Sequence, residues 1–152
     1  MKPESKSTII VCLDTSRNSD VALRYAAHIA AKSGFAVQIL VVIESAKSLL
    51  FVSKAVIKDR RSEVEKQLKK LISNVFKDTN IVPVVSIREG EVVREIATEV
   101  KSMPSCVMLV FGKSYDGQSD NNVLPKLSAQ IGNKIKVPVV IVPDNMSAEY
   151  LK

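Results

Sequence analysis

Asp14 closes the apolar run Ile9-Ile10-Val11-Cys12-Leu13, and the turn after it reads Thr15-Ser16-Arg17-Asn18-Ser19. A carboxylate at the end of a buried strand, beside a helix start, stands where open α/β sheets hold their ligands, beyond the carboxyl ends of the strands. The same residues also make a good turn, because Asp and Ser side chains satisfy nearby backbone donors. A second address of this kind follows the run Val107 to Phe111. There Gly112 leads into a polar loop, Ser114 to Asn122, and a short helix pattern opens at Pro125-Lys126-Leu127-Ser128. Backbone N–H groups at a loop and helix start can meet an anion, and Lys113 and Lys126 add point charges. A phosphoacceptor role for Asp14 would need an acidic cluster and a strand-end lysine, and the strand ends carry neither.

The other reactive side chains point away from catalysis. Cys12 and Cys106 lie inside apolar runs with no Cys-x-x-Cys spacing and no neighbouring histidine, so they read as buried, inert thiols and not as metal ligands. His28 faces away from the stripe Ala22, Ala26, Ile29 and has no acid or Cys partner in the sequence around it, which predicts a surface position. The net charge of +6 suggests a nucleic-acid partner, but the basic residues alternate with acids, as in Lys58-Asp59-Arg60-Arg61-Ser62-Glu63. With 5% aromatics and no Trp, the chain also lacks a stacking surface for single strands. Neither nucleic acid nor membrane is therefore expected as a partner. The polar N-terminus and the lack of a run of roughly 18 apolar residues predict a cytoplasmic protein.

The elements that position these residues follow from pattern. Five Val- and Ile-rich runs, Thr8 to Leu13, Ala36 to Ile43, Ile81 to Ile87, Ser105 to Phe111 and Val137 to Val142, suit strands buried on both faces. Ala22, Ala26, Ile29 and Ala30 recur at helical spacing between Ser19 and Ser33, with Gly34 as the stop. Val64, Leu68, Leu71, Ile72 and Val75 carry a second helix, and Val93, Ile96, Ala97 and Val100 a third, which Pro104 closes. Glu44 to Arg61 is too long for an ordinary connection, so part of it is expected to be helical or to pack as a lid. With 152 residues and 46% hydrophobic content, this is one domain with a core of about 8–143 and short polar tails. The alternation βαβαβαβαβ predicts a parallel sheet between two helical layers with right-handed crossovers.

Ile9 to Asp14 with Ser19 and Ala22, Glu89-Gly90 before the third helix, Val107 to Gly112, and Val137-Pro138-Val139-Val140-Ile141-Val142 together resemble the universal stress protein family, from about Thr8 to Pro143. The resemblance implies a three-layer αβα sandwich of the adenine nucleotide alpha hydrolase type, with five parallel strands in the order 3-2-1-4-5. It also implies a homodimer paired along the last strand, Val139, Val140, Ile141 and Val142. Covering a bare apolar edge by symmetric pairing is physically sensible.

Nucleotide-binding members of the family hold ATP phosphates with a G-x2-G-x9-G-[S/T] motif. Here Gly112 supplies the first glycine, but Tyr115 replaces the second, Pro125 the third and Lys126 the hydroxyl. A Cβ restricts positive φ and fills space beside a phosphate, while Pro125 lacks an N–H. Family contact positions fall on Asp14, Val42, Leu127 and Ser128, which with Gly112, Lys113 and Lys126 form the candidate cofactor site. The expected function is a non-catalytic stress-response or regulatory dimer with ATP binding weakened or lost and no resident cofactor. The alternative is a switch that binds ATP or AMP through a non-standard phosphate loop. An enzyme of the related nucleotide-hydrolase folds is disfavoured, because the chain lacks a Ser-Gly-Gly-x-Asp-Ser loop and a His-Ile-Gly-His segment.

Overall fold

The computed structural model describes residues 6–14, 19–44, 54–112, 123–143 and 145–146. Within them strands and helices follow one another as β1 (Thr8–Cys12), α1 (Ser19–Ser33), β2 (Ala36–Glu44), α2 (Lys54–Thr79), β3 (Val84–Gly90), α3 (Val92–Ser102), β4 (Cys106–Gly112), α4 (Val123–Ser128) and β5 (Val139–Val142). The strands form one parallel sheet in the order β3-β2-β1-β4-β5, as the family resemblance implies.

β1 lies at the centre, and all five of its residues are buried. Successive side chains of a strand point to opposite faces, so β1 feeds two cores. Ile9 and Val11 join α1 and α2 residues in one cluster, where Ala22, Ala26 and Ala30 present short side chains to the sheet. Val64, Leu68 and Val75 close that cluster from α2, whose opposite face carries the alternating charges. Ile10 and Cys12 join Val92, Val93, Ile96, Ala97 and Val100 of α3 in the second cluster, together with Leu127 and Ile135.

The larger boundary differences from the sequence reading fall in the third and last strands and have backbone reasons. Pro83 has no N–H to give a ladder, and the third strand begins at Val84 instead of Ile81. It then runs on through polar residues, because Arg88, Glu89 and Gly90 pair with Val42, Ile43 and Glu44 of β2. Pro138 has the same effect on the last strand, which starts at Val139 instead of Val137. Within Glu44 to Arg61, the helical part expected from sequence is the start of α2 at Lys54; the lid reading falls on 45–53, outside the described residues.

At Gly90 the chain turns from β3 into α3 with φ +148. Glu91 caps the helix, its carboxylate accepting from the N–H groups of Val93 (3.3 Å) and Arg94 (2.9 Å). Pro125 sits in the first turn of α4, where a missing N–H breaks no helical hydrogen bond. After α4 the chain folds tightly on the Gln130 carbonyl, which accepts from the N–H groups of Asn133 (3.2 Å), Lys134 (2.9 Å) and Ile135 (3.1 Å). Ile135 is thereby driven into the second core.

Candidate strand-end crevice

The carboxyl ends of β1, β2 and β4 bring three of the expected site residues to one edge of the sheet. Asp14 stands two residues beyond β1, after Leu13, whose N–H still donates to the Leu40 carbonyl at 3.0 Å. It is half-buried. Val42 is half-buried on β2 and packs against the second core. Gly112 ends β4, buried, and pairs with Val142 at the end of β5.

Of the four positions expected around the phosphates, three lie among the described residues, on α4. Lys113, with the rest of the polar loop, lies outside the described residues. Lys126 is exposed on α4 and borders a hollow of about 280 Å³ against α3, shared with Glu91, Ala97 and Lys134. Leu127 is 1% exposed, its side chain committed to the second core, so only its backbone is left for a ligand. Ser128 is exposed at the end of the helix. Pro125, in the first turn of α4, offers no N–H, and Lys126 lines the hollow beside α3.

The two thiols and the one imidazole are each perturbed mainly by burial. Burial pushes the Cys12 thiol well above its ordinary value, with Cys106 and Glu99 adding to the effect, and burial raises Cys106 as well. Thiols held protonated in this way are poor nucleophiles. His28 is half-buried and not fully on the surface, with its pKa lowered by desolvation and by Arg24, against an opposing contribution from Asp78 on α2. That acid was not visible near His28 in sequence, since the two are brought together by helix packing. Among the described residues no group of His, Cys, Asp and Glu is arranged to hold a metal, and no helix is long and apolar enough to cross a membrane.

Sequence reasoning missed a buried polar cluster between α3 and strands β2 and β3. Glu99 is 5% exposed, and its two oxygens accept from Gln38 on β2 and from Nε of Arg88 on β3. Its signal was present: Glu99 falls seven residues after Val92, on the buried stripe of α3.

No curated protein sequence matches the chain. Among solved structures, universal stress protein UspA from Lactobacillus plantarum is similar at TM-score 0.71 and 15% identity, over 91% of this chain and 99% of that one. A universal stress protein in complex with cAMP is similar at TM-score 0.60 and 21% identity, over 93% and 100%. The universal stress protein from Archaeoglobus fulgidus in complex with dAMP is similar at TM-score 0.60 and 15% identity, over 91% and 98%. At these identities the likeness is one of fold, but residues 7–143 also match the universal stress protein family in sequence, and the chain belongs to that family.

Proposed function

We propose that this chain is a non-catalytic regulatory or interaction protein of the universal stress type, cytoplasmic and dimeric, in which tight ATP binding has been lost. The observation that carries the reading is the helix start at α4. Where the family's phosphate motif has glycine and a hydroxyl, this chain has Pro125, which lacks a donor, and Lys126, which borders a hollow against α3. The dimer is supported by β5, an edge strand whose Ile141 is 50% exposed.

A second reading, an adenine-nucleotide switch, draws on the similar structures that hold cAMP and dAMP and on the polar groups retained at Asp14 and Ser128. Chromatography of nucleotide released from the purified protein, followed by titration with ATP and AMP, separates the two. No copurified nucleotide and no micromolar binding is expected. Micromolar binding of either nucleotide overturns the first reading in favour of the second.

A further inference from the structure

Beside the amino-terminal ends of β4 and β5, away from the strand-end crevice, α3 and the turn after α4 stand apart over a groove of about 600 Å³. Such a volume lies in the range of small-molecule sites. Its floor is aliphatic and soft: Ala97, Val100, Met103, Cys106 and Val137. Around it stand Arg94, Lys101, Lys134 and Lys136, with Thr98 on the helix wall. No carboxylate lines the groove. Among the described residues none of these four cations forms an ion pair, whereas Arg61 and Arg88 are both engaged by glutamates.

That combination selects a class of ligand. Four cations without counter-charges favour an anion, and an apolar floor favours a hydrocarbon chain. With no aromatic side chain in the lining, a nucleobase has nothing to stack on, and with no carboxylate a ribose lacks its usual acceptor. A second copy of this chain docked symmetrically here would set these four cations against their like. The segment leaving β5 also heads elsewhere, since Met146 packs against the core on the other face of the sheet.

We propose that this groove binds a monomeric, medium-chain aliphatic carboxylate. The chain lies along Ala97, Val100, Met103 and Val137, where the sulfur of Met103 adapts to its shape. The carboxylate is held by the rim cations through charge-assisted hydrogen bonds. The site is separate from the strand-end crevice, so neither outcome of the ATP titration bears on it.

Calorimetric titration of the full chain with octanoate and decanoate, each below its self-association concentration, tests the proposal, with amide NMR shifts locating the site. One saturable site is expected, tightening about fourfold per added methylene. Amide shifts are expected over 94–104 and 133–137. Decyltrimethylammonium should not bind. The double variant Lys101→Glu, Lys134→Glu should weaken decanoate binding roughly tenfold or more, by loss of hydrogen bonds to a charged group. Thr98→Trp, at an exposed helix position, should block the groove without entering the core. Absence of saturable binding, equal binding of the cationic amphiphile, shifts confined to other residues, or unchanged binding by both variants each overturns the proposal. So does binding of a glutamate-rich peptide at this face where decanoate fails, which would assign the groove to a protein partner.

Discussion

Arg88 on β3 donates from Nε to Oε2 of Glu99 on α3, and Glu99 thereby ties the edge of the sheet to the helix covering it. The other Glu99 oxygen accepts from Gln38 on β2, and Arg88 also faces Glu95 one helical turn earlier at 4.0 Å. A carboxylate 5% exposed would be costly alone, and here each oxygen has a donor. Removing it takes the acceptor from Gln38 and leaves Arg88 with only the longer contact to Glu95. Glu99→Ala is therefore expected to lower stability by about 1–3 kcal/mol, since Arg88 keeps partial access to water. The exposed pair Arg61 and Glu65 gives the contrast, and Arg61→Ala should cost no more than about 0.5 kcal/mol. Urea denaturation of both variants checks the ranking, and equal losses would contradict it.

Gly90 and Gly34 both have positive φ, but a side chain would meet different surroundings at each. At Gly34, φ +72, an added Cβ finds nothing within 4 Å, so Gly34→Ala should cost about 1–2 kcal/mol for the backbone conformation alone. At Gly90, φ +148, it meets Glu95 Cγ at 3.0 Å. Gly90→Ala should add displacement of Glu95 to a backbone penalty of about 1–3 kcal/mol. Thermal denaturation with Gly34→Ala losing more than Gly90→Ala would refute this account.

His28 makes a pH-dependent contribution whose sign follows from its surroundings. Desolvation and Arg24 lower its pKa below 6.5, Lys32 lowers it further, and Asp78 opposes them. The unfolded chain then takes up a proton before the folded one does as pH falls. The stability associated with neutral His28 is present above about pH 6.5 and is lost as the pH drops through the folded-state value. The wild type and His28→Gln are compared by urea midpoint at pH 7.5 and 5.5. Their difference should shift in favour of His28→Gln at the lower pH; a difference independent of pH would remove His28 from this role.

The layered fold was legible because continuous Val and Ile runs alternate with helical stripes, whereas the strand order was implied only by the family resemblance. β1 and α1 show this most directly, with the Ala22, Ala26 and Ala30 spacing matching the buried face. Strand ends were less legible, because ladder pairing is a backbone property. Arg88 and Glu89 extend β3 although neither is apolar, and Pro83 and Pro138 delay strands whose neighbours look apolar. The Glu99 cluster and the basic groove join residues distant in sequence, such as Gln38 with Glu99 and Lys101 with Lys136. Periodicity along one element does not reveal such meetings.

β5 places a core position and an edge position on adjacent residues. Val142 is 1% exposed and belongs to the core with α1, while Ile141 is 50% exposed on the sheet's edge strand. Under the dimer reading, Ile141→Lys should convert a dimer to a folded monomer, because two buried charges would face each other across the symmetric pairing. Val142→Ala should instead cost about 1–3 kcal/mol of fold stability by opening the core. Light scattering with circular dichroism reads both. A wild-type monomer at working concentration, or a dimer that survives Ile141→Lys, would defeat the edge-pairing argument.

Restoring the phosphate motif is the sharpest test of why nucleotide binding should be weak. Tyr115→Gly and Pro125→Gly remove two side chains from the expected phosphate path, and the second also returns an N–H donor. Lys126→Ser supplies a hydroxyl at the start of α4. Each donor regained to a charged phosphate is worth about 1.5–3 kcal/mol, which corresponds to roughly tenfold or more in affinity. Two returned donors offset the loss of one lysine point charge, so the triple variant should bind ATP at least about tenfold more tightly than the wild type. Asp14→Ala in that background should then weaken binding if Asp14 forms the crevice rim. Calorimetry showing no gain in the triple variant would mean that the substitutions at 115, 125 and 126 are not what limits this site, and that the crevice between Asp14, Val42 and Gly112 is itself the wrong shape for a nucleotide.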